Sequence, residues 1–136
     1  MRLKKHLSIA LAAASLVLLS AAASAAERLD GAWATGDASC DEAFVKKNGK
    51  LAMKPGMLEG LTGFIVNGKH IRGAHASCDV LSSKQKGDVT TMLLGCKSAI
   101  IFDTMSVSLR FEGDDSFVRL DPDFPEIQTR YKRCNR

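Results

Sequence analysis

Four cysteines constrain this chain more than any other feature, because an even set in an oxidising compartment closes covalent loops and removes every fold that keeps their ends apart. They are Cys40, Cys78, Cys96 and Cys134. A tetrahedral metal site usually draws its ligands from close pairs, whereas this chain has no C-x-x-C and its cysteines are 38, 18 and 38 residues apart. Two structural disulfides are therefore expected. Cys78 and Cys96 lie on two strand-like segments joined by Ser82-Ser-Lys-Gln-Lys-Gly-Asp88, where a cross-strand bridge is natural. That pairing leaves Cys40 with Cys134, tying the start of the domain to its end.

The N-terminus indicates the compartment. A basic Met1-Arg-Leu-Lys-Lys5 start, an apolar run from Leu7 to Leu19 and the small-residue stretch Ala21-Ala-Ala-Ser-Ala-Ala26 have the form of a secretory signal peptide. An A-x-A site ends at Ala25 or one residue later, so residues 1–26 are assigned to the leader and 27–136 to a single disulfide-stapled domain. The apolar part falls short of the roughly 20 residues of a spanning helix, and the longest later apolar stretch is only Ser98-Ala-Ile-Ile-Phe102. A periplasmic or secreted protein with no membrane span after cleavage is expected. Charge agrees with a targeting role for the basic start. Three of the nineteen Lys and Arg residues lie in the leader, leaving sixteen against fifteen acidic residues, and the one dense basic cluster is Arg130, Lys132, Arg133 and Arg136. A nucleic-acid reader would need a basic stripe interleaved with aromatics, so no nucleic-acid partner is expected.

The rest of the chain is a succession of short alternating runs broken by turn residues, which points to an all-β fold with few helices. Asn48-Gly49 and Asn67-Gly68 each separate two such runs and predict tight hairpins, since both residue types tolerate positive φ. The outgoing arm of the second, Lys69 to Val80, reads as one long strand, with Gly73 marking a bend or a bulge. In Met105-Ser-Val-Ser-Leu-Arg-Phe111 the apolar residues alternate strictly with polar ones, so one face is buried and the other wet. About eight strands in this length predict a small antiparallel barrel or a two-sheet sandwich braced by the two disulfides. Trp33 near the start is expected to plug one end of the core.

Motifs that carry chemistry are scarce. G-x-S-x-G, H-E-x-x-H and the phosphate-binding glycine loop are all absent. His70 and His75 are the only histidines after the leader, and five residues apart on one strand they would project to opposite faces. Only a bulge at Gly73 would bring them together with Asp79 as a metal pair. Asp114-Asp115 and Asp121-Pro-Asp123 have the composition of solvated turns. No catalytic residue, metal or cofactor is assigned, and the protein is read as a non-enzyme.

The connection Lys54-Pro-Gly-Met-Leu-Glu-Gly-Leu-Thr-Gly63 is unusually apolar for a loop. Met57, Leu58 and Leu61 either fold over the barrel end or form an anchor for a partner, which Phe124 joins if both loops meet at one end. These four residues are the candidate binding site. An alternative places an apolar ligand inside the barrel, against residues such as Met92, Leu94, Val107 and Leu109.

Taken together, Leu29-Asp-Gly-Ala-Trp33, Cys40, the Gly63–Gly73 hairpin, Cys78, Cys96 and Tyr131-Lys-Arg-Cys134 resemble the small, mostly uncharacterised four-cysteine periplasmic proteins of Gram-negative bacteria. The resemblance spans most of the chain after the leader and implies a location and a fold rather than an activity. Gly31-Ala-Trp33 is also similar to the opening of calycin-like bacterial protease inhibitors. The expected function is loop-mediated binding of another envelope or secreted protein, inhibitor-like or as an envelope-stress accessory. The alternatives are a small apolar-ligand carrier and a secreted factor acting on a host or neighbouring cell.

Overall fold

The structure, a computed structural model, describes residues 24–54 and 62–134. Eight antiparallel strands close into a barrel, and a separate hairpin packs on its outside. The chain opens with α1 (Ala25–Leu29) and β1 (Gly31–Thr35), then makes an excursion through α2 (Cys40–Ala43) and the hairpin β2 (Phe44–Lys47) and β3 (Lys50–Met53). It returns as a meander of β4 (Gly63–Asn67), β5 (His70–Arg72), β6 (Ser77–Lys86), β7 (Val89–Lys97), β8 (Phe102–Phe111), β9 (Ser116–Leu120) and β10 (Gln128–Arg133). Strand β1 pairs with both β4 and β10, so the first strand closes the barrel made by the last seven.

Both short helices start with a capping box, in which a serine hydroxyl and a glutamate carboxylate satisfy two otherwise unpaired backbone N–H groups. In α1 the partners are Ser24 and Glu27, and in α2 they are Ser39 and Glu42. The Ser39 backbone N–H, donating to the Glu42 carboxylate at 2.6 Å, holds that carboxyl below its ordinary pKa, with the Ser39 hydroxyl adding to the effect. Asp41 to Ala43, the head of the run that leads into Asn48-Gly49, thus join Cys40 in a single helical turn rather than a strand.

The Asn48-Gly49 hairpin forms as the sequence predicts, with φ of 51° and 76° at its two turn residues. The second hairpin is shifted by one residue. Asn67 pairs with His70, so Gly68 and Lys69 make the turn, and only Gly68 takes positive φ. The long arm from Lys69 to Val80 is not one strand. It folds back at Gly73, whose N–H donates to the Ala76 carbonyl at 2.9 Å, and the two halves pair as β5 and β6. The bulge lies instead at Leu81, between Val80 and Ser82. Ser82 to Lys86, expected as a connection, continues β6, and only Gly87-Asp88 turns the chain into β7.

The barrel interior holds Leu29, Trp33, Val66, Met92, Leu94, Leu109 and Phe117. A second, smaller core lies outside the barrel, where Ala32 and Ala34 of β1 meet Ala43 and Phe44 beneath the β2–β3 hairpin. Gly63 makes that seam possible, because a Cβ there would sit 2.5 Å from the Trp33 carbonyl and 2.9 Å from the Phe44 ring. Cys40–Cys134 ties α2 to the end of β10 across this seam, and Cys78–Cys96 bridges β6 and β7 at directly paired positions. Both pairings are those expected from the spacing.

Candidate functional site: the open end of the barrel

The two ends of the barrel are built differently. Leu29, carried by α1, and Trp33 from β1 close one of them. Trp33 is fully buried; its indole N–H donates to the Leu29 carbonyl at 2.7 Å, and its ring meets Phe117 edge-on at 4.8 Å. Arg133 rivets the same end. Its guanidinium lies 4.3 Å from the Trp33 ring centre and donates to the carbonyls of Arg28, Asp30 and Asp114. Trp33 is therefore the plug that its position in the sequence predicts.

Among the described residues the other end is open, and strand stagger is the reason. Strand β9 stops at Leu120 opposite Ser108, whereas β8 begins six residues earlier at Phe102, so Phe102 to Val107 have no ladder partner on that side. Only the loop from Asp121 to Ile127 follows β9 there. Strand β5 is likewise three residues long. Inside this end lies a cavity of about 240 Å³. An eight-stranded barrel is just wide enough either to fill with its own side chains or to hold one small ligand, and here the filling is incomplete.

The floor of the cavity is aromatic: Phe117 stacks on Tyr131 at 4.9 Å, and Phe64 meets Tyr131 at 5.4 Å. Its walls are Ile71, Met92, Leu94, Met105, Val107, Leu109 and Cys78 of the bridge, with Gly73 and Ala76 at the lip. The lining is apolar except for Tyr131 and Arg119. Arg119 pairs with Leu109, whose side chain is buried in the interior, and with Thr129 on the other side, so it stands on the inner face one residue before β9 ends.

Strand direction brings the loops Gly73–Ala76, Ser98–Ile101 and Asp121–Ile127 to this same end, together with the start of β4. Several exposed apolar side chains stand at this end, Ile100 at 92%, Ile101 at 63%, Phe124 and Ile127 at 55% each, and Phe102 at the start of β8 at 74%, interspersed with the exposed polar His75, Ser98, Asp123 and Glu126. Phe124 lies in the Asp121–Ile127 loop at this end. Met57, Leu58 and Leu61 lie outside the described residues. Met92, Leu94, Val107 and Leu109 all line the cavity.

Sequence reasoning missed Arg119 and the Ile100–Phe102 tip. The signal for the tip was present, since Ser98-Ala-Ile-Ile-Phe102 is an apolar run that falls between two strands. Arg119 was hidden because Ser116-Phe-Val-Arg-Leu120 carries no clean alternation to say which side faces in.

The remaining polar candidates do not converge. His70 Nδ1 contacts Asp79 Oδ1 across β5 and β6, with both side chains about half exposed, while His75 lies exposed on the Gly73–Ala76 turn. Among the described residues no three His, Cys, Asp or Glu side chains gather as a metal site, and no helix is long and apolar enough to cross a membrane. The Asp121 carboxylate accepts the N–H groups of Asp123 and Phe124, which makes this segment the turn that its composition predicts. The two disulfides are consistent with an extracytoplasmic setting. No protein-family model matches the chain, and neither the curated proteins nor the solved structures contain a match to it.

Proposed function

We propose that this is an exported, non-enzymatic binding protein that takes an apolar group into the open end of its barrel. Export rests on the basic, apolar and alanine-rich start together with the two disulfides. The observation that carries the binding reading is the coincidence of an apolar cavity, unfilled by the described side chains, with exposed apolar loop side chains at its mouth. Burying such surface is favourable by about 25 cal/mol per Å², so the mouth collects apolar molecules and the cavity selects those slender enough to enter. The same loop side chains, Phe124 among them, support a second reading in which the loops grip the apolar part of another envelope or secreted protein.

Titrating the isotope-labelled protein with octanol separates the two. Ligand in the cavity shifts the amide resonances of Leu94, Met105, Val107 and Leu109, and Ala76→Trp, a change at the exposed lip, abolishes those shifts while leaving the urea midpoint unchanged. Shifts confined to the Ser98–Ile101 and Asp121–Ile127 loops would favour the partner-docking reading, and shifts at neither place would refute the cavity reading.

A further inference from the structure

We infer that the cavity's ligand is a single-chain anionic amphiphile, such as a medium-chain carboxylate, with its head held by Arg119; the inference rests on the cavity reading above. Among the described residues Arg119 is the one charged side chain lining an otherwise apolar space. A guanidinium cannot lose its proton, so its charge is permanent. Among the described residues Arg119 has no ion pair, unlike Arg110, Arg130 and Arg133, which pair with Asp88, Glu112 and Asp115. Of the acidic side chains at this end, Asp123 and Glu126 are exposed and form no ion pair with it, and two others accept backbone N–H groups. Asp121 binds the backbone of its own turn, and the Asp103 carboxylate on β8 accepts the N–H of Thr104 at 2.7 Å.

Placement fits the head of an amphiphile rather than a buried charge. Two residues separate Arg119 from Phe117 on the aromatic floor, a rise of roughly 7 Å along the strand, and the side chain is exposed. The cation therefore stands exposed at the rim beside apolar walls. A carboxylate would meet the planar fork of the guanidinium with two hydrogen bonds and keep its remaining hydration, and only the alkyl tail would enter. The cavity's 240 Å³ equals about eight waters at roughly 30 Å³ each, and a methylene is of similar size, so roughly eight carbons fit.

The test compares octanoate, octanol and octylammonium on the full oxidised protein at pH 7 by calorimetric titration. The expected order is octanoate, then octanol, then octylammonium, with octanoate favoured over octanol by roughly fivefold to tenfold at low salt and less at 1 M salt. Arg119→Gln should erase that preference, and Arg119→Lys should restore part of it. Equal affinities for octanoate and octanol in the unaltered protein, or a preference that survives Arg119→Gln, would overturn the assignment of the head group and leave the cavity reading standing. Failure of all three compounds to bind would overturn both.

Discussion

At the scale of single residues, the closed end depends on Trp33. The indole does three things at once: it fills the space beneath α1, donates its one hydrogen bond to the Leu29 carbonyl, and offers its face to Arg133. Trp33→Phe keeps most of the volume but leaves that carbonyl without its donor, and should cost about 1–3 kcal/mol. Trp33→Ala adds a cavity and should cost about 3–5 kcal/mol. Urea unfolding of the three proteins measures both, and equal losses for Phe and Ala would show that the hydrogen bond, not the packing, dominates. A lone tryptophan near the start of the domain made the plug legible in the sequence. Arg133 was not legible as its partner, because a basic residue in a basic tail looks the same in sequence whether it is solvated or pinned by three carbonyls. Arg119 posed the same difficulty, and only strand register shows that it faces inward.

Among the elements, hairpins and disulfides were the most readable and strand limits the least. Asn-Gly marked both tight turns because few other residues accept positive φ, yet register moved the second turn one residue along. The Lys69–Val80 stretch misled for a physical reason: it carries extended-chain residues throughout, and nothing local says that Gly73 to Ala76 will reverse rather than bend. The Ser82–Lys86 stretch misled because its polar residues extend a strand that is exposed along most of its length. The cysteine pairing was legible because a bridge needs its Cα atoms close together, which the pairing of β6 with β7 provides for Cys78–Cys96, at 4.0 Å; Cys40–Cys134, at 5.5 Å, followed by elimination. Loop-closure entropy separates the two bridges. Across 94 residues the estimate is about 4.6 kcal/mol, against about 3 kcal/mol across 18. Replacing Cys40 and Cys134 by Ser should therefore lower the melting temperature more than replacing Cys78 and Cys96. Calorimetry checks this, and the reverse order would mean that the short bridge holds native structure at the barrel mouth beyond its effect on the unfolded chain.

For the whole molecule, the alternation of Met105 to Phe111 and the count of short strands made an all-β barrel or sandwich legible. Closure into a barrel was not, because it depends on β1 reaching both β4 and β10. The open end was still further from view. It arises from unequal strand lengths, with β6, β7 and β8 at nine or ten residues and β5 and β9 at three and five, and those lengths depend on the boundaries that sequence patterns locate worst. The same inequality gives the molecule its polarity, a plugged end held by Trp33 and Arg133 and an apolar mouth lined with loops. The most direct measurement is native mass spectrometry of the oxidised protein recovered from its own cells, before and after incubation with excess octanoate. A species four protons lighter than the reduced chain, carrying one added small molecule that Ala76→Trp removes, is the result the account predicts. A bare protein in both samples, with both bridges intact, would contradict it.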